Sequence, residues 1–162
     1  MEDKPTGQVN HYEYWDLTLF EQYIQHNYHQ HEVQLLTTLA DTMDKVIKHH
    51  LSELPQLQGI NHNFIKFKEA LMFHHNGELE LFNALRRETL KVGWVQQTIS
   101  EMNTTIVNLL REMNICTDEF TPPEDACPLT RHLYLKLSEL YDDVVCHLYV
   151  KSKYLPLYIH DN

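Results

Sequence analysis

Glycine is scarce in this chain, with four in 162 residues, and the shortage leaves long stretches in which nothing breaks a helix. Between Asp16 and about Leu51 there is neither glycine nor proline. Alternating apolar and polar runs joined by tight turns are also missing, which removes the pattern a β-sheet needs. The three cysteines, Cys116, Cys127 and Cys146, are odd in number and have no CxxC spacing, so they imply neither a disulfide framework nor a thiolate zinc site; reduced thiols are expected. Basic charge is short as well. Thirteen Lys and Arg stand against 23 Asp and Glu, a net charge of -10, so nucleic acid and anionic membrane surfaces would be repelled and neither is expected as a partner. No apolar run approaches the span of a bilayer, and MEDKPTGQVN has neither a basic region nor a following apolar one, which predicts a soluble, cytoplasmic protein. No phosphate-cradling loop and no nucleophile–base pair points to a conventional hydrolase or transferase, and whether the protein is an enzyme stays open.

What is present is helical periodicity. A polar lead-in over residues 1–15, with Pro5 and Gly7, precedes a first helix from Asp16 to about Leu51, in which Val33, Leu36, Ala40, Met43 and Ile47 recur at steps of three and four. After Pro55 and Gly59 a second helix runs from about Asn61 to Arg87, with Phe67, Leu71, Leu81 and Leu85 on one stripe; Gly77 inside it predicts a kink or bulge. The third spans about Lys91 to Met113, with Val95, Ile99, Met102, Ile106, Leu109 and Met113 inward. The segment NICTDEFTPPEDACP reads as a long crossing loop, and a fourth helix follows from about Leu129 to Tyr154 on Leu133, Leu137, Leu140 and Val144. Four amphipathic helices of similar length predict one all-α domain over 16–156, an antiparallel up-down four-helix bundle, with a tail at 157–162.

Twelve histidines are many for such a chain, and three of them interrupt the apolar stripes. The first stripe continues to His29, the second to His74 and Glu78, the fourth to His147 and Lys151. His74 and Glu78 lie one helical turn apart, so an imidazole and a carboxylate can converge on one point. Each His alone could be a core residue bonded to a neighbouring hydroxyl or carboxylate. A shared metal explains all three interruptions at once, because bundle cores build metal sites from inward residues of facing helices. Met102 reads as core packing, Asp142 and Asp143 as a solvated face or as partners of a histidine ring, the His49-His50 pair as suited to a helix end, and His26, His31, His62, His132 and His160 as surface residues.

The phrases QYIQHNYHQH, ALMFHHNGELELF, FTPPEDAC and ELYDDVVCHLYVKSKYLP, in that order and spacing, resemble the hemerythrin-like domain of the RIC family, di-iron proteins for the repair of iron centres. The resemblance runs from about Asp16 to Pro156. It implies a hemerythrin-like bundle, a centre of two irons held by four His and two bridging Glu, iron-sulfur proteins as partners, and work in stress defence with iron, nitric oxide or oxygen. Carried over by motif, the metal residues are His29, His74, Glu78 and His147. Two positions depart from the family's pattern: Met102, after Glu101, stands where a His is expected, and Lys151 stands where the second bridging Glu is expected.

An ammonium cannot ligate unless deprotonated, so a full two-metal centre is not expected. Lys151 either pairs inward with Glu78, in the place of a metal, or snorkels outward. His29, His74 and His147, with Glu78, then remain for one ion, and such a set suits iron, zinc or manganese. Glu101 or His75 is a possible replacement ligand. The competing reading is a bundle that has lost its metal and serves as a binding or regulatory module.

Overall fold

The structure, a computed structural model, describes residues 12–89 and 91–159. Residues 1–11 and 160–162, and with them most of the expected lead-in, the end of the expected tail and His160, lie outside the described residues.

Among the described residues five α-helices make four arms. Helix α1 (Leu17–Ile24) starts at Asp16, whose side chain accepts from the Leu19 amide at 2.8 Å and so satisfies one of the free donors of a helix start. A π-helical turn, Gln25–His29, joins α1 to α2 (Gln30–His50) without leaving right-handed helical backbone, so the two form one arm. The others are α3 (Leu57–Arg86), α4 (Val92–Cys116) and α5 (Pro128–Tyr154), the last followed by a 3-10 turn at Leu155–Tyr158. No strand occurs among the described residues, and the fold is an all-α four-helix bundle. Among the described residues no helix is long and apolar enough to cross a membrane.

The end of α2 meets the start of α5, where Cys127 contacts His50, so these two arms run antiparallel. In the connection before α5, Asp118, Glu119 and Phe120 take left-handed backbone with φ of 51, 55 and 59°. The Thr117 hydroxyl stabilises this turn, accepting from the Phe120 amide at 3.1 Å and donating to the Met113 carbonyl at 2.8 Å.

Gly77 lies inside an unbroken α3, so no bulge interrupts the helix there. Its role is clearance. A Cβ there would stand 2.6 Å from the terminal methyl of Met102 on α4, so the missing side chain lets the two helices approach.

The apolar core is divided in two. One cluster contains Leu36, Leu39, Phe64, Phe67, Ile106, Leu137 and Val144, the other Phe20, Ile24, Leu81, Phe82, Val95 and Leu155. Along every arm the residues between the clusters fall at one level: 29–32, 74–78, about 102, and 147–151. On three arms that level is polar.

Candidate metal centre

The π turn widens the first arm by one residue immediately before the polar layer, and both Tyr28 and His29 turn inward there. Glu32 follows three residues later on the same face. From α3 come His74, His75 and Glu78, and from α5 His147 and Lys151. All seven polar groups are buried, Glu32, Glu78 and His147 with no exposure at all. Burial at that level is tolerable only if every charge has a partner.

Glu78 is the meeting point of the sequence-predicted residues. Its Oε2 accepts from His29 Nε2 at 2.6 Å and from His147 Nε2 at 3.0 Å. Its Oε1 lies 2.6 Å from His74 Nε2, and Lys151 Nζ donates to both, to Oε1 in a close ion pair and to His74 Nε2 at 2.8 Å. Two lone-pair atoms so close together would repel unless a cation stood against both. Lys151 therefore points inward and supplies that cation. His74 Nδ1, on the far side of the ring, is buried without a hydrogen-bond partner in the protein.

Glu32 is a second buried carboxylate that the sequence reading passed over. His147 Nδ1 donates to its Oε1 at 2.9 Å and His75 Nε2 to its Oε2 at 2.5 Å. Two consecutive helical residues differ in direction by about 100°. His74 thus turns to α5 and Lys151, while His75 turns to α2 and Glu32 and stacks on His29 with ring centroids 4.2 Å apart. The signal for Glu32 was the spacing from His29, and the signal for His75 was its place in a layer wide enough to take both rings. Glu101, the other considered replacement, is exposed and bonded to Gln97 at 2.8 Å, away from the layer. Asp143 is half-buried and pairs with His31 at 3.2 Å, so that surface His has a partner.

The pairing decides the protons. Burial pulls the His147 imidazole down, yet Glu78 and Glu32 outweigh it and push it up to about 9, so both ring nitrogens donate. The Tyr28 ring stacks flat on this imidazolium at 4.9 Å. Burial likewise pushes the Glu32 carboxyl up, but hydrogen bonds from His147 and His75 prevail and hold it at about 2. In Glu78 the same penalty is overcome chiefly by Lys151 and then His147, which keep it well below the usual carboxylate range. His29 and His74 are lowered, in both by burial first, and stay neutral at pH 7. Burial lowers the Lys151 ammonium too, against the opposing pull of Glu78. Two carboxylates thus face one ammonium and one imidazolium, and each buried carboxylate has a cationic partner without any ion.

Two groups of donors lie close enough to share a metal: His29, His75 and His147, and His74, Glu78 and His147, each with donor atoms within 4.8 Å of one another. The first suits a divalent cation, because Glu32 flanks it and the His147 proton can leave as the cation enters. In the second the Lys151 ammonium already stands on His74 and Glu78. An ion added beside it would find no further carboxylate to offset its charge, so the donor set fits one divalent ion and not two. On the third arm, α4, the layer holds half-buried Met102, which is packing against Gly77.

No protein-family model matches the chain. The chain is 25% identical over 155 residues to a protein described as iron-sulfur cluster repair protein ScdA from Staphylococcus haemolyticus (strain JCSC1435), a likeness that takes in 92% of this chain and 69% of that one.

Proposed function

We propose that this protein binds a single divalent metal ion, with iron first in order and zinc or manganese able to replace it, between His29, His75, His147 and Glu32. The Oε2 edge of Glu78 bounds the site and Lys151 holds the charge of its other edge. Of the residues the sequence singled out, His29, His147 and Glu78 keep places around the ion, and His74 faces the ammonium. The observation that supports this most is the layer itself: imidazoles from three separate arms converge with two carboxylates between apolar clusters.

In this reading the protein works in the cytoplasm in the stress-linked handling of iron, nitric oxide or oxygen. Iron-sulfur proteins are its partners, a part of the reading supported by the description of its distant relative as an iron-sulfur cluster repair protein. A bound iron ion supplies one-electron chemistry and affinity for small gases. The protein's own part is to hold three imidazoles in place, to give up the His147 proton to solvent as the cation enters, and to keep bulk water out with the apolar clusters on either side.

A second reading rests on charge. Because both buried carboxylates already have cationic partners in the protein, a metal-free binding or regulatory module is the competing function. Elemental analysis of protein purified without chelator separates the two. The metal reading expects close to one ion per chain, lost in His29→Ala and in His75→Ala while helical circular dichroism is retained. Protein that is metal-free after purification and takes up no Fe(II), Zn(II) or Mn(II) at micromolar concentration belongs to the second reading.

A further inference from the structure

A second group of titratable side chains meets at the end of the bundle far from the metal layer. The sequence predicts reduced thiols and places His50 at a helix end, and the structure agrees on both, with all three cysteines free. What the sequence did not show is a nucleophile–base pair, and the structure brings one together. Cys127 Sγ lies 3.2 Å from His50 Nε2, a partner 77 residues away in the chain, and the other ring nitrogen, Nδ1, lies 3.2 Å from Glu53 Oε2. A thiol, an imidazole on it and a carboxylate behind the imidazole form the arrangement in which a base takes a nucleophile's proton while a third group fixes its tautomer.

The other neighbours act in the same direction. Cys127 is the residue that caps α5, a helix of 27 residues, so its sulfur faces the positive end of the helix. The Thr130 amide lies 3.5 Å from the sulfur and its hydroxyl 3.4 Å. These bonds, with His50 adding to them, bring the thiol down to about 7. His50 is raised, by Glu53 first. The other titratable groups close by are His49, whose ring lies 6.4 Å from that of His50, Glu124 and Asp125 in the preceding loop, and Arg131, whose guanidinium is bound to the carbonyls of Ala126 and Glu124. A cap alone asks only for an oxygen or sulfur facing the helix; it does not ask for an oriented imidazole on the sulfur's outer side. His50 keeps a quarter of its side-chain surface open and Glu53 nearly three quarters, so small molecules reach the pair from solvent.

We propose that Cys127 is a nucleophilic thiol with His50 as its proton partner, and that it is a site of reversible oxidation by hydroperoxides. The Cys127 thiolate attacks the terminal oxygen of a hydroperoxide. An S–O bond forms as the O–O bond breaks, the sulfur is oxidised to a sulfenic acid and the peroxide reduced to an alcohol or water, and the His50 imidazolium gives its proton to the leaving oxygen. Cys146 lies 19 residues along the same helix, about 28 Å away at 1.5 Å per residue, and cannot close a disulfide on the product. The reductant is an external thiol: its thiolate attacks the sulfenic sulfur and water leaves, and a second thiol then frees Cys127 as the two external thiols become a disulfide.

The test uses the full chain and reads each cysteine by peptide mass spectrometry. Cys127 is expected to react with iodoacetamide at half its plateau rate near pH 7, and roughly fivefold faster at that pH than a thiol of ordinary acidity, the gain in thiolate being partly offset by its lower nucleophilicity. His50→Asn moves that midpoint up by about one unit, and Glu53→Gln, a surface change that spares the fold, moves it by less in the same direction. After hydrogen peroxide, dimedone is expected to label Cys127 ahead of Cys116 and Cys146, and not at all in Cys127→Ser, where serine keeps the cap. A Cys127 midpoint at 8.5 or above, a midpoint unmoved by either variant, or no dimedone adduct on Cys127 overturns the proposal.

Discussion

Glu32 and Glu78 are both fully buried carboxylates in one layer of one bundle, yet their surroundings differ in a single decisive respect. Glu32 receives hydrogen bonds from two imidazoles, groups whose protons can leave when a cation arrives. Glu78 has two imidazoles on one oxygen and, on the other, an ammonium tethered by its own helix. The comparison teaches that a bundle can close half of a metal-type site with a side chain. A charge carried by Lys151 comes with the chain itself, whereas a charge carried by an ion depends on supply.

The largest effect should come from separating the two halves by mutation. Glu78→Gln strands the Lys151 ammonium in the core, and the account expects a loss of about 3–5 kcal/mol in urea unfolding of the chelator-treated protein. Adding Lys151→Met to Glu78→Gln should recover a large part of that loss, since the stranded charge goes with it. A double variant as unstable as the single one would break the pairing. Glu32→Gln should cost less, about 1–3 kcal/mol, because an amide still accepts one hydrogen bond and no ammonium is left behind. Equal costs at the two positions would erase the difference between the halves.

Acidity sharpens the same contrast. His147, raised to about 9, contributes stability that is complete below its unfolded value of 6.5 and is lost as pH rises through about 9. Glu32, lowered to about 2, contributes stability present above its unfolded value of 4.5 and lost as pH falls through about 2. His29 and His74, both lowered, take up protons more readily unfolded, so they weaken the fold as pH falls below 6.5. The urea midpoint of metal-free protein should therefore decline on the alkaline side between 6.5 and 9, and Glu32→Gln should move that decline to lower pH. A midpoint flat across that range would contradict the assigned imidazolium.

The smallest effect belongs to the arm that brings no donor. Gly77→Ala trades a gain in helix propensity against displacement of a flexible methionine end, and the net change should stay within about 1 kcal/mol in thermal unfolding. Gly77→Leu cannot be accommodated that way and should destabilise clearly.

Much of the fold was legible because proline and glycine are rare enough for helix limits to stand out. The inward stripes of α3 and α5 run straight through Phe67, Leu71, Leu137 and Val144 into His74, Glu78, His147 and Lys151. On the first arm the stripe holds at His29, Leu36 and Met43 and is one position off at Val33 and Ile47. Val33 is exposed and Ile47 only half-buried, while Glu32, Leu39 and Val46 are buried, and a stripe drawn through Val33 passes beside Glu32. The π turn, which shifts the phase of the arm just before the layer, has no mark in composition. His75 was obscured by its neighbour, since a single-stripe reading admits only one of two adjacent rings. The contact of Cys127 with His50 joins a loop to a helix end, a pairing that no periodicity reports.

Anaerobic titration of metal-stripped protein with Fe(II), counting ions bound and protons released, tests the central claim most directly. The account predicts one ion per chain with release of the His147 proton at pH 7, and a second ion only after Lys151→Met frees Glu78 and His74. Two ions in the unmodified chain, or none, would contradict it.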